Sequence, residues 1–163
     1  IETCTFCNLA CEYCVLRSHM VAKAIMTLAE FNVLKPYFRV AQSIALSGLA
    51  EPLMHRDIAP CIRSLTDETA HCRLTMFSNA TLLSEALSKE LVDSQLDIFE
   101  FSLGGTDSAV VDRIRRGSSL SDVVQKVTEL VAIKAERGSQ APLVSATVCR
   151  PRRAEARTGA SSW

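Results

Sequence analysis

Several things this chain lacks narrow its function before any motif is read. It has no excess charge of either sign: Lys and Arg total 18, Asp and Glu total 18. The basic footprint of a nucleic-acid binder is therefore missing, and so is the polybasic patch that docks on anionic lipid. No apolar run approaches the roughly 20 residues of a membrane span. No signal-peptide pattern opens the chain, and the first residue is Ile1 rather than methionine, already inside what reads as a strand. The seven cysteines lack an even count and a second run. In 163 residues, enough to bury a core without staples, that argues against a disulfide framework and for a reducing, cytoplasmic setting.

Strand and helix signals alternate along the rest. Ile1–Thr3 reads as the stub of a first strand. Met26–Phe38 reads as a helix, with Thr27 and Glu30 in a capping-box pattern and Pro36 either ending or kinking it. Ser43–Gly48, Cys72–Ser78, Leu96–Leu103 and Leu143–Cys149 are short apolar strands. Between them, Asp57, Ser84 and Ser119 start helices, Asp122 completes a second capping box, and Gly104-Gly105 leads into a short helix that Gly117 can end. Leu120, Val123, Val124, Val127, Leu130 and Val131 form the clearest amphipathic stripe. Five strands joined by four crossover helices predict an α/β fold around a parallel sheet, either open and doubly wound or an incomplete barrel. In both, ligands sit in the loops at the carboxyl ends of the strands.

The first such loop is CTFCNLACEYC, with Cys4, Cys7, Cys11 and Cys14. Zinc knuckles usually place two Cys-x-x-Cys pairs far apart so that the metal ties two backbone segments together; here Cys7 and Cys11 are separated only by Asn8, Leu9 and Ala10. A ferredoxin run ends Cys-x3-Cys-Pro, and Val15 stands where its proline would be. What remains is Cys7-x3-Cys11-x2-Cys14, three thiolates able to hold three irons of a 4Fe–4S cube and leave the fourth open. A zinc-binding structural or interaction module on Cys4, Cys7, Cys11 and Cys14 stays open as the alternative.

CNLACEYC resembles the cysteine signature of radical S-adenosylmethionine (SAM) enzymes, and the likeness continues in order. SGLAEPLMHRDI (47–58) is similar to that family's glycine-rich Gly-Glu-Pro loop, FSNATLLSEALSKELVDSQLD (77–97) to its Thr-Asn-Gly segment, and FSLGGTDSAVVDRIRRGSS (101–119) to its Ser-x-Asp-Gly strand end and Arg-Gly turn. The nearest branch is the peptide- and cofactor-maturing (SPASM-like) one. The resemblance implies a partial (βα)6-type barrel, with residues 1–150 an incomplete core and 151–163 a disordered or non-native basic tail. It implies a 4Fe–4S cluster on Cys7, Cys11 and Cys14, and SAM against Tyr13, Gly48, Ala50, Glu51, Pro52 and Ser102. It further implies reductive cleavage of SAM to a 5′-deoxyadenosyl radical that takes hydrogen from a peptide or small-molecule precursor. The electron would come from a donor such as flavodoxin or ferredoxin; neither nucleic acid nor membrane is an expected partner.

Departures from the family pattern carry expectations of their own. Ala50 stands in place of a glycine, and a positive φ there would cost about 1 kcal/mol. Ala80 replaces the glycine after Asn79, and Gly104 replaces an aspartate. The remaining candidates have plainer readings. Cys4 is a bystander, and Cys61, Cys72 and Cys149 are small buried hydrophobes. His19, His55 and His71 belong to loops or surface. Arg113, Arg115 and Arg116 are a solvated helix end, and Asn79 shapes its turn.

Overall fold

The computed structural model describes residues 1–18, 22–65, 71–94 and 96–148. His19, Cys149 and the tail from 151 lie outside the described residues.

Thr27 starts the first helix as expected: its Oγ1 accepts from the Glu30 N–H at 3.2 Å while the Glu30 carboxylate accepts from the Thr27 N–H at 2.7 Å. The expected single helix is two, α1 (Leu28–Val33) and α2 (Lys35–Phe38), broken at Leu34. Pro36 is the reason, because without an N–H it cannot continue α1 but fits the first turn of α2. Phe31 and Phe38, with centroids 5.7 Å apart, bury the inner side of the break.

Four strands form one parallel sheet in the order β1 (Ser43–Leu46), β2 (Arg73–Ser78), β3 (Ile98–Leu103), β4 (Leu143–Val148). The crossovers are α3 (Ile58–Arg63), α4 (Glu85–Val92), and the pair α5 (Ser108–Ile114) and α6 (Leu120–Glu136). The architecture is α/β, with four of the five expected strands in the sheet. The Ile1–Thr3 stub lies beside β1, where Ser47 N–H donates to the Ile1 carbonyl at 2.9 Å, yet it is too short for a ladder. It passes directly into an isolated antiparallel bridge between Cys4 and Ile25.

One face of the sheet is dry. Ile44 and Leu46 of β1, Leu74 and Met76 of β2 and Phe99 of β3 form a core with Ile58 and Ile62 of α3, Leu91 of α4, and Val123, Val127, Leu130 and Ile133 of α6. Each such apolar side chain contributes roughly 1.5–3 kcal/mol by leaving water. The α6 stripe is narrower than its sequence suggests, since Val124 and Val131 are exposed and Ile133 is the residue that completes the buried face. Ser84 caps α4, accepting from the Leu87 N–H at 3.2 Å, but the Asp57 and Ser119 side chains cap nothing; Asp122 instead pairs with Lys126. No helix among the described residues is long and apolar enough to cross a membrane.

Candidate functional site

Residues at the carboxyl ends of β1, β2 and β3 meet the cysteine loop around a cleft of about 340 Å³. Cys7, Cys11, Tyr13 and Cys14 line it from one side. Gly48, Ala50 and Glu51 enter from the loop after β1, Phe77, Ser78 and Asn79 from β2 and its end, Ser102 from β3, and Arg115 from the end of α5. All the sequence candidates except Pro52 therefore converge; Pro52 is buried behind the cleft in a short 3-10 turn.

Each wall has a local cause. Gly48 admits the Glu2 side chain so closely that a Cβ would lie 2.3 Å from Glu2 Oε1, and that oxygen accepts from the Leu49 and Ala50 N–H groups at 2.8 and 3.1 Å. Glu51 is a buried carboxylate, 2% exposed, that stitches the β1 loop to the end of β2. Its oxygens accept from the Ser78 hydroxyl (2.6 Å), the Leu53 N–H (3.0 Å) and the Asn79 N–H (2.7 Å). Burial raises its pKa above the usual carboxyl value, with those hydrogen bonds opposing. Desolvation likewise raises the thiols of Cys7 and Cys11, the nearby Arg115 charge working against it at Cys11.

Ala50 carries no backbone strain. Among the described residues the non-glycine residue at positive φ is Ala80, at 60°, so the cost expected at Ala50 falls at the other glycine replacement. His55 is not a surface group. It is buried, its Nδ1 accepts from the Asp57 N–H at 3.1 Å, and the Nε2 proton is thereby assigned toward the Met26 carbonyl at 2.6 Å.

The larger correction is Arg115, which is only 4% exposed. Its guanidinium donates to the backbone carbonyl and the hydroxyl of Ser102, while Nε has no partner. Arg116 remains at the surface, paired with Glu12 at 2.9 Å, and Arg113 is exposed. One signal could have found Arg115: it follows Val111 by four residues, so the two share the face of α5 that packs inward.

Cys4 is 2% exposed and absent from the cleft; its thiol donates to the Glu51 carbonyl at 3.1 Å. A four-cysteine zinc module would need that thiol, and it points its hydrogen elsewhere. Among the described residues, Cys7, Cys11 and Cys14 share the cleft while Cys4 lies outside it; a donor set of three thiolates fits a 4Fe–4S cube with one iron left open.

Comparison with known proteins bears on the family and the fold. The family model for the radical SAM superfamily matches residues 1–140. A GTP 3′,8-cyclase from Peptoclostridium acidaminophilum is 28% identical over 137 residues, which cover 78% of this chain and 40% of the cyclase. Among solved structures, anSMEcpe with bound AdoMet superposes with a TM-score of 0.69 at 17% identity, over 90% of this chain and 41% of that one. Methylornithine synthase (PylB) gives 0.65 at 14% identity, over 93% and 52%. BtrN in complex with AdoMet and 2-DOIA gives 0.59 at 16%, over 89% and 54%. At such identities the structures speak for the shared fold. The chain spans two-fifths to about half the length of these relatives.

Proposed function

Since the chain belongs to the radical SAM superfamily, we propose that its cleft holds a 4Fe–4S cluster on Cys7, Cys11 and Cys14 with S-adenosylmethionine beside it. The chemistry this pair supplies when bound is one-electron cleavage of the sulfonium, giving a 5′-deoxyadenosyl radical that abstracts hydrogen from a substrate. The observation that carries the reading is the meeting of three thiols from one loop with three strand ends around one cleft, whose volume lies in the range of about 300–1,000 Å³ for small-molecule pockets.

The chain's own residues do the binding and orienting. Gly48 and Ala50 line the methionine end of the cofactor, in a loop held by Glu2 and by Glu51, which is already satisfied by three donors. Arg115, buried with an unpaired Nε, offers a positive group to the methionine carboxylate. Tyr13, 55% exposed at the rim, covers the adenine, and Ser102 faces the ribose. On the sheet face that carries Ser102 and Phe77, alternation brings Thr75, Glu100, Ser145 and Thr147 to the same side, with the Thr147 hydroxyl donating to Glu100. By the same register Ile98 and Leu143 lie on this face too, so it offers hydrogen-bonding groups beside apolar ones, a mixture that suits a peptide or cofactor precursor. A one-electron donor of the flavodoxin or ferredoxin kind completes the set of partners.

Anaerobic reconstitution with iron and sulfide tests the reading. The expected product is brown, absorbs near about 400 nm, and shows a cubane signal by electron paramagnetic resonance after reduction. Cys4→Ser should retain the iron and Cys7→Ser should lose it. Colourless protein that retains zinc, and loses it in Cys4→Ser, would overturn the assignment.

A further inference from the structure

The thiol of Cys7 is met by two N–H groups. The Leu9 backbone amide donates to Sγ at 3.4 Å, and so does Nδ2 of Asn79, at 3.6 Å, from the end of β2. The orientation of the Asn79 amide is fixed by its partners. Its Oδ1 accepts from the Thr81 N–H at 2.9 Å and from the Thr81 hydroxyl at 2.6 Å. Its Nδ2 donates to Asn8 Oδ1 at 3.0 Å, and Asn8 Nδ2 donates in turn to Thr81 Oγ1 at 2.8 Å. Asn79, Asn8 and Thr81 thus close a ring of three side-chain hydrogen bonds in which every donor and acceptor is assigned. Reversing the Asn79 amide would set its NH2 group against both Thr81 donors.

Shaping the turn needs only the Thr81 N–H on Asn79 Oδ1. The ring does more: it takes one of the two Nδ2 protons and leaves the second for Cys7. Asn79 is 6% exposed, so water competes little for that proton. In such a setting a preorganised donor acts more strongly than in water, and neighbouring hydrogen bonds polarise one another.

Resting on the cluster assignment above, we propose that Asn79 is a positioning residue for the redox step: its amide, locked by Thr81 and Asn8, donates to Cys7 and raises the reduction potential of the cluster that Cys7 ligates. Adding an electron puts more negative charge on the cluster and its thiolates. A fixed N–H donor therefore favours the reduced form, and hydrogen bonds to the sulfurs are among the levers that set cluster potentials.

The test is a potentiometric titration of the reconstituted full chain, followed by electron paramagnetic resonance, on wild type, Asn79→Ala, Asn79→Asp and Thr81→Val. In Asn79→Ala the ratio of reduced to oxidised cluster at the wild-type midpoint should fall about tenfold, a shift of about 59 mV to lower potential for one electron. Asn79→Asp, which places a carboxylate where the donor was, should shift further the same way. Thr81→Val, which keeps Asn79 but opens the ring, should shift less. If Asn79→Ala fails to retain iron, Thr81→Val decides by the same readout. Equal midpoints at equal iron content in wild type and variants would overturn the proposal and leave the cluster assignment standing. A wild-type chain with no cubane signal would instead remove both.

Discussion

The peptide N–H of Ala10 donates to the carbonyl of Arg116 at 2.9 Å, tying the cysteine loop to the end of α5 between Cys7 and Cys11. Two residues on, the Glu12 N–H donates to the Ile114 carbonyl at 2.8 Å. The Arg-Gly turn is therefore a clamp on the loop. Gly117 makes the clamp close: its φ is +95°, and a Cβ there would stand 3.3 Å from Leu9 Cδ2. Gly117→Ala should lower stability by roughly 1–2 kcal/mol, read as a lower urea midpoint, and should reduce iron bound per chain after reconstitution. An unchanged midpoint and full iron content would show that the turn does not hold the loop.

Arg115→Met keeps the length of the side chain and removes its charge. SAM affinity should fall at least tenfold, about 1.4 kcal/mol, measured by equilibrium dialysis on reconstituted protein. Iron content should change less than SAM affinity, because Arg115 makes its hydrogen bonds to Ser102 and reaches Cys11 through its charge alone.

The thiols divide by burial. Cys4, Cys61 and Cys72 are buried, and desolvation pushes Cys61 up to about 11. Cys7, Cys11 and Cys14 are half-buried on the cleft. Among the described residues, brief alkylation of the iron-free chain should label these three and spare the buried three, which are closed to the reagent, as read by peptide mass spectrometry. Labelling of Cys61 at the rate of Cys7 would contradict the core described above.

Glu51 gives a pH dependence whose sign is set by its raised pKa. The folded chain holds this proton more tightly than the unfolded chain, so the burden of ionising Glu51 is absent below the ordinary carboxyl range. Stability then falls as pH rises through that range toward the folded value. Glu51→Gln lacks the titration. The stability of wild type minus that of Glu51→Gln should therefore decrease from about pH 4 upward, followed by denaturant unfolding at several pH values. A difference that grows with pH would mean that the hydrogen bonds outweigh burial.

What the sequence discloses and what it hides follow physical lines. Short apolar runs between helical periods placed all four strands of the sheet, because local burial leaves a local pattern. The spacing from Cys7 to Cys14 is likewise local. Long-range partnership leaves no such mark. Arg115 read as solvated because charge is usually exposed, and its partner Ser102, brought near by the β3–α5 turn, lies thirteen residues away. His55 lies in a loop as its sequence suggests, but its burial is hidden because its partner is the distant Met26 carbonyl. The strained alanine was sought at Ala50, where Glu2 instead supports an ordinary backbone, and lies at Ala80, whose conformation is set by the Ser78 and Asn79 contacts around it.

The grip on the cysteine loop also orders events during synthesis. Its contacts come from Asn79 and Thr81 on one side and from Ile114 to Gly117 on the other. A nascent chain still on the ribosome with fewer residues than these has its cysteine loop without those contacts. The brace on the loop is consequently completed late, only once the chain has been made through Gly117.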